Sequence, residues 1–507
     1  MAYQQSQELT ELVSPLPAAA TKAAQPAPFV HERSQWSACA AKFGSLLLFV
    51  TVAAAPLPFG SNQPAPIALW CIVLGAALLF LPLRGLSGGQ LALIGFGLFV
   101  VAAYAVVLHE QLAEHPWLSV AVPHPLWRQA QEALGVPLAP FVSIARNEPW
   151  FELGRPLVCF LAIACGLLVG ADEERGRQLM KVIAWSGAIY AAYGILSHLW
   201  DPSRILWLEK TAYLEDVTGT FINRNTAGTY FGSCAVVWLL LLCELVRRQM
   251  PPGPIDWGAV PSRVLSAHSK GLVATFSMFF LCLLALFMTG SRGAVVICLP
   301  ALILTFIIFF RRHLPRRIGI AGTLVAGGAI ALLLLQFMGA GVNARFDAQG
   351  LADEGRLAAY RSALRMIGDH PWFGTGQGTF AYAFPAYRNA SVSIWGVWDM
   401  AHNSLLQIAT DMGLPIAGLV VIAWAVVFAT LIRGVRVRRR GVLLPVAALG
   451  VSTIAVLHSF VDFSLQIPGY GIVALSLIGA GLAQSLARPG RHTAGKRVLE
   501  QKSFEAG

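Results

Sequence analysis

The stretch GTFINRNTAGTYFG, Gly219–Gly232, sets one arginine, Arg224, between two asparagines, and an apolar run follows at once. That run, 226–246, has the roughly 20 residues needed to cross a bilayer as a helix. A cation at the mouth of a membrane-type helix has two readings. It is an interfacial residue that snorkels into the headgroups, or it is one half of an anion site.

Eleven further apolar segments share the character of that run. Their cores are 42–59, 65–83, 90–109, 155–171, 179–199, 271–289, 294–310, 318–338, 413–432, 442–463 and 468–486. The whole chain of 507 residues is 56% hydrophobic and 12% charged. A soluble domain carries about twice that share of charge. The expected fold is an all-α polytopic membrane protein with about twelve transmembrane helices in a single domain over 36–490.

The net charge of +11 is not gathered into one basic domain. It sits in short clusters between apolar runs: Arg247-Arg248, Arg311-Arg312, Arg316-Arg317, Arg433 to Arg440, then Arg488, Arg491 and Lys496. This is the positive-inside pattern of cytoplasmic loops, and it argues against nucleic acid as a partner. Taking these clusters as cytoplasmic makes every other loop alternate without conflict and puts both termini inside. Residues 1–35, rich in Ala, Pro and Gln, are expected as a disordered cytoplasmic tail and not a signal peptide. Residues 491–507 are expected as a second tail. The outer face then receives 110–154, 200–225, the turn near 290–293, and the long stretch 339–412 between the ninth and tenth spans.

Two spans begin at that face directly after an arginine. One follows Arg224, and the other follows Arg292 in TGSRGA, Thr289–Ala294. Each helix aims the positive end of its dipole outward, with Asn225 and Ser291 as plausible N-caps. Two arginines and two helix N-termini make an anion site suited to a phosphate or diphosphate. A third candidate, His402, lies where the long loop returns to the membrane, followed by Asn403 and Ser404. A histidine near a helix N-terminus is biased towards the neutral form that a general base requires; Asp399 is the fallback base. His458 and Asp462, four apart, share a helix face and are expected to pair as a proton relay or a polar clasp.

Within the long loop, Leu357, Tyr360, Leu364 and Ile367 form an apolar stripe at helical spacing, with Arg361 and Arg365 on another face. A lateral helix at the membrane surface is expected, ended by Asp369-His370-Pro371. Gly374, Gly376 and Gly378 then permit tight turns but not a P-loop, since no strand precedes them and no Lys-Ser/Thr follows. GLSGG, Gly85–Gly89, matches GxSxG but joins two helices, so it reads as a connector. No metal-ligand spacing occurs, and the eight cysteines, none in CxxC spacing, read as small buried hydrophobes.

The motifs GTFINRNTAG, TGSRGA, GRLAAYRSALRMIGDHPWFGTGQGTF (Gly355–Phe380) and AHNSLLQIATDMGLPIAG (Ala401–Gly418) follow in that order. With them, from about Arg177 to Leu486, the chain resembles the bacterial O-antigen ligase and polysaccharide polymerase superfamily, integral-membrane glycosyltransferases of the C type. The resemblance implies a donor glycan on undecaprenyl diphosphate, a glycan acceptor, and transfer at the periplasmic face of the inner membrane. It implies that Arg224 and Arg292 hold the diphosphate, with Asn223, Asn225, Arg356, Arg361, Arg365 and Asn403 in substrate binding. His402 would activate the acceptor hydroxyl, in an inverting displacement that needs no metal or other cofactor. A flippase and a chain-length regulator are the partners such an enzyme would work beside.

HSFVDFSLQIPG, His458–Gly469, is similar to a segment of exopolysaccharide polymerases, and Ile416 departs from the ligase histidine motif. Both favour a polymerase of exopolysaccharide or O-antigen repeat units. The alternatives are a ligase moving the glycan to lipid A core or protein, and a non-enzymatic transporter or scaffold. Transporters place their polar groups at the midplane, whereas these candidates gather at outer helix ends.

Overall fold

The structure is a computed structural model. It describes residues 28–250, 270–314, 318–338, 354–389, 398–438 and 441–487, together with 255, 258, 262, 263 and 392. Side-chain surroundings are described from Ser37 onward. Of the expected tails, 1–27 and 491–507 lie outside these residues, while 28–35 fall in the first helix; much of the long loop before Glu354 also lies outside.

Helices account for nearly all of the regular structure. In chain order they are α1 (Pro28–Ala54), α2 (Pro64–Phe80), α3 (Gly88–Leu112), α4 (Leu126–Leu134), α5 (Glu148–Glu152), α6 (Gly154–Gly170), α7 (Glu173–Trp200) and α8 (Arg224–Gln249). Then follow α9 (Lys270–Met288), α10 (Arg292–Phe310), α11 (Ile318–Met338), α12 (Glu354–Asp369), α13 (Phe380–Tyr387), α14 (Ser404–Val437), α15 (Leu443–Ser459) and α16 (Pro468–Leu486). Among the described residues the only strand pairing is Arg204–Ile205 against Leu208–Glu209. Among the described residues ten helices are long and apolar enough to cross a membrane, and the two remaining expected spans fall on the shorter apolar helices α2 and α15. The protein is an all-α polytopic membrane protein.

α16 runs through the middle of the bundle, with 89% of its span buried. Small residues make this possible. A Cβ on Gly166 of α6 would lie 2.1 Å from the Ser476 carbonyl oxygen, and one on Gly170 would lie 2.3 Å from the Ala480 Cα. The backbones therefore touch, as small-residue seams allow in membranes, where close packing replaces the hydrophobic effect as the glue. Five of the cysteines agree with their reading as small buried hydrophobes, Cys165, Cys234, Cys243, Cys282 and Cys298; Cys71 and Cys159 are half-buried and Cys39 is exposed, and all eight are free thiols.

The helix ends sort into two groups. At one end Arg177 Nη1 bonds Glu244 at 2.9 Å, Ser87 Oγ donates to the Leu486 carbonyl, Gln484 Nε2 donates to the Gly170 carbonyl, and Arg312 reaches the Arg436 carbonyl. Ser87 also caps α3 in a capping box with Gln90, which gives GLSGG a structural task. At the other end, Gln111 bonds the Phe373 carbonyl, the Val217 amide bonds the Met288 carbonyl, and the Ile144 amide bonds the Thr375 carbonyl. The segments between α3 and α5, α7 and α8, α9 and α10, and α12 and α14 thus meet at this loop-bearing end. It carries every candidate functional residue.

α12 forms where the lateral helix was expected, but its packed face differs. Ala358, Ala359, Ala363, Met366 and Ile367 are buried, whereas Leu357 and Leu364 are 44% and 57% exposed. Alanines let α12 approach α13 and α14 closely, and Leu357 and Leu364 are left on the outer side. The glycine loop behind it turns with φ of 63°, 113° and 75° at Gly374, Gly376 and Gly378. α14 breaks at Gly413, whose φ of 82° is open to glycine and where a Cβ would meet the Trp372 carbonyl oxygen at 2.2 Å.

Candidate active site

α8 begins at Arg224, and Asn223 is its N-cap, its Oδ1 accepting from the Asn225 and Thr226 amides. The cap expected at Asn225 is therefore two residues earlier, because Asn223 holds the extended φ/ψ that an N-cap needs. Asn225 has another task. Its Oδ1 accepts from Ser291 Oγ at 2.8 Å, and Ser291 is the N-cap of α10, which begins at Arg292. A Cβ on Gly228 would lie 2.6 Å from the Ala294 Cβ, so the two helices nearly touch there. The two arginine-bearing N-termini are thus clasped side by side.

Arg224 does not stand alone. Its Nη1 bonds Asp216 Oδ2 at 2.8 Å, and its guanidinium lies 4.8 Å over the Tyr213 ring. Asp216 and Tyr213, eight and eleven residues upstream, were not singled out in the sequence.

His402 sits just before α14 with a φ of 50°, a left-handed conformation that is rare for a side-chain-bearing residue. Tyr360 of α12 donates its hydroxyl to the His402 carbonyl at 2.9 Å. Asn403 caps α14 through the Leu405 and Leu406 amides and donates to the Phe460 carbonyl. The imidazole lies between the rings of Trp398 and Phe463, and its Nδ1 is 3.0 Å from Asp462 Oδ1. Asp462, expected to pair with His458, lies within reach of that imidazole's charge and bonds the His458 carbonyl through its amide, while its carboxylate hydrogen-bonds His402. Burial alone would raise the Asp462 carboxyl; the His402 hydrogen bond and the neighbouring His458, His402 and Arg356 charges overcome this and hold it below the usual range.

His458 is buried with its Nε2 3.6 Å from where a Cβ on Gly293 would stand, and Val461 touches the same spot. Through Gly293 the start of α10 therefore adjoins the segment that holds His402. Arg356 joins this cluster, its Nη1 donating to the Val461 carbonyl at 2.5 Å. Arg365 instead reaches the Tyr387 carbonyl and ties α12 to α13, and Arg361 is exposed on α12.

A cavity of about 880 Å³ opens beside this cluster. Asn223, Asp399, Ser404 and Phe463 line it, each close in sequence to Arg224, His402 or Asp462, whereas Arg224, Arg292 and His402 are not themselves in its lining. One wall is apolar, with Phe160, Ile163, Val420, Trp424, Leu475 and Ile478. Among the described residues no group of three or more His, Cys, Asp or Glu side chains is placed to hold a metal ion.

Residues 277–421 match a family model described as O-Antigen ligase. That segment is similar to an O-antigen ligase domain. The match supports the O-antigen ligase and polymerase superfamily and a glycan-transferring membrane enzyme. The matched segment takes in Arg292, Arg356 and His402. Arg224, His458 and Asp462 lie outside the match and reach that segment through the Asn225–Ser291, Gly293–His458 and His402–Asp462 contacts. No curated protein matches the chain.

Proposed function

We propose that the protein transfers glycan from undecaprenyl diphosphate at the outer face of the inner membrane, and that it polymerises repeat units. The observation that carries the reading is the His402–Asp462 pair, 3.0 Å apart, on a segment that adjoins the start of α10, itself clasped to the start of α8. A base and an anion site are thus neighbours.

In this reading the donor diphosphate lies at the two helix N-termini with Arg224 and Arg292. With Nδ1–H donated to Asp462, His402 presents Nε2 as the base, the geometry by which a carboxylate fixes a histidine tautomer. The acceptor hydroxyl attacks the anomeric carbon and its proton passes to Nε2. The carbon–oxygen bond to the diphosphate breaks, its electron pair leaving with the diphosphate, where the guanidinium groups stabilise the charge. Attack opposite the leaving group inverts the anomeric centre. The cavity's apolar wall suits a lipid chain.

HSFVDFSLQIPG supports the polymerase reading, since it supplies Asp462 to His402. The ligase reading is favoured by the description of the matching family. Purified protein in nanodiscs, given undecaprenyl-diphosphate-linked oligosaccharide, separates them. A product ladder means polymerase, a single transfer to added lipid A core means ligase, and no product with either acceptor sinks the transferase reading.

A further inference from the structure

The cavity has a second, polar wall that the transfer step does not use. Glu148 and Glu152 of α5, Arg155 of α6, and Gln377 and Tyr382 around the glycine loop and α13 line it. These side chains are already held in place. Arg155 Nε lies 2.6 Å from Glu152 Oε2, and its Nη1 donates to Asn62 Oδ1 at 2.7 Å. Gln377 Nε2 donates to the Glu152 carbonyl at 2.9 Å, and the Tyr382 hydroxyl makes a long bond of 3.4 Å to Glu148.

Asp411 stands behind this wall and also lines the cavity. It is 7% exposed; its Oδ2 accepts from the Gly378 amide and Gln407 Nε2, and the Phe380 amide adds a further backbone hydrogen bond to the carboxylate. Asp411 thereby ties the glycine loop to α14 and holds the wall's shape from behind. The mixture of carboxylates, amide, guanidinium and phenol offers both acceptors and donors at fixed spacing, which suits vicinal hydroxyl groups. A cation is a poorer fit, because no three of the described acidic or imidazole groups converge as ligands. An anion is also a poor fit, since three carboxylates face one guanidinium.

We propose that this wall is a glycan-hydroxyl subsite that accepts neutral or amino sugars and disfavours uronates. The inference rests on the glycan-transfer reading above and names the substrate class of the same cavity. Asp411 lies seven residues beyond Ser404 on α14, roughly 10 Å along the helix axis. The wall therefore reads a sugar removed from the reacting one and sets specificity without taking part in bond exchange.

The test uses the full chain in nanodiscs and saturation-transfer NMR with three probes: maltotriose, chitotriose and trigalacturonate. At least one of the first two is expected to bind, with trigalacturonate weaker by fivefold or more. Glu148→Gln and Glu152→Gln should weaken the neutral or amino probe at least fivefold and narrow the gap to the uronate. Because Glu152→Gln breaks an ion pair that supports local structure, Tyr382→Phe, at an exposed ring, serves as a second variant with a smaller loss. Equal binding in all variants, a preference for trigalacturonate in the wild type, or no saccharide binding would overturn the proposal. Binding of undecaprenyl diphosphate is measured in the same samples. If the lipid binds and no saccharide does, this inference falls and the transferase reading stands; if neither binds, both fall.

Discussion

Where α6 crosses α16, Gly166 lies against the Ser476 backbone with no room for a methyl group, and nearly everything around it is apolar and buried. Where α14 begins, the His402 side chain is 26% exposed, its φ is 50°, and hydrogen bonds from Tyr360 and to Asp462 hold it. The first contact is fixed by shape, the second by a few directional bonds that offset a local strain on the order of 1–3 kcal/mol. The seam leaves no alternative arrangement. The site is held by groups that can let go and re-form, as a centre that must admit and release substrate requires.

The largest test of this contrast is His402→Gln. Loss of a positioned base costs roughly a hundredfold to ten-thousandfold. Single-turnover release of undecaprenyl diphosphate should fall by that much while donor binding and the thermal midpoint change little. A rate within tenfold of wild type would place the base elsewhere.

Gly166→Ala tests the other side. Overpacking a seam without slack costs about 1–3 kcal/mol, visible as a lowered thermal midpoint in detergent, while transfer per folded molecule stays normal. An unchanged midpoint would show that the seam can relax.

Ser291→Ala touches both regimes, because it removes the α10 cap and the bond to Asn225. The expected destabilisation is about 1 kcal/mol, accompanied by weaker donor binding. Weaker binding without the stability change would mean that Ser291 contacts the ligand itself.

The smallest effect is in pH. His124, outside the spans, lies with its Nε2 3.1 Å from His370 Nε2, and burial together with the His370 charge lowers it to about 4. The unfolded chain, with an ordinary histidine near 6.5, binds the proton more readily. Stability from this pair is therefore complete above about pH 6.5 and declines as pH falls towards the folded value. The imidazole is about half accessible, so the change is no more than about 1 kcal/mol. His124→Gln should flatten the thermal-midpoint profile between pH 6.5 and 4, and an unchanged slope would assign the acid sensitivity to other groups.

Much of the fold was legible because membrane helices announce themselves locally. Runs of about 20 apolar residues and the arginine clusters located each described span, and the break in α14 falls at Gly413, where the apolar core 413–432 was expected to begin. The packed face of α12 was not legible, since Leu357 and Leu364 are more hydrophobic than Ala358 and Ala363 but too large for the close approach. In the site, Arg224, Arg292 and His402 stood out as polar residues at helix mouths. Their partners did not. Asp462 was read with His458 by helical spacing, and its bond to His402, 60 positions away in the chain, is made only by the fold. Asp216 left a faint signal, an acidic residue just ahead of an arginine-capped helix. Glu152 and Asp411 left none, because 259 positions separate them and only the fold brings both to one cavity.

The Asn225–Ser291 bond and the contact of Gly228 with Ala294 have a metric consequence. The arginines start two rigid rods whose separation is set by touching backbones, so the gap between their positive ends is a gauge and not an adjustable jaw. In the reading proposed above, a headgroup would be accepted by its span. The sugars could then be retuned by altering loops, whereas a different anionic carrier would require respacing α8 and α10 themselves.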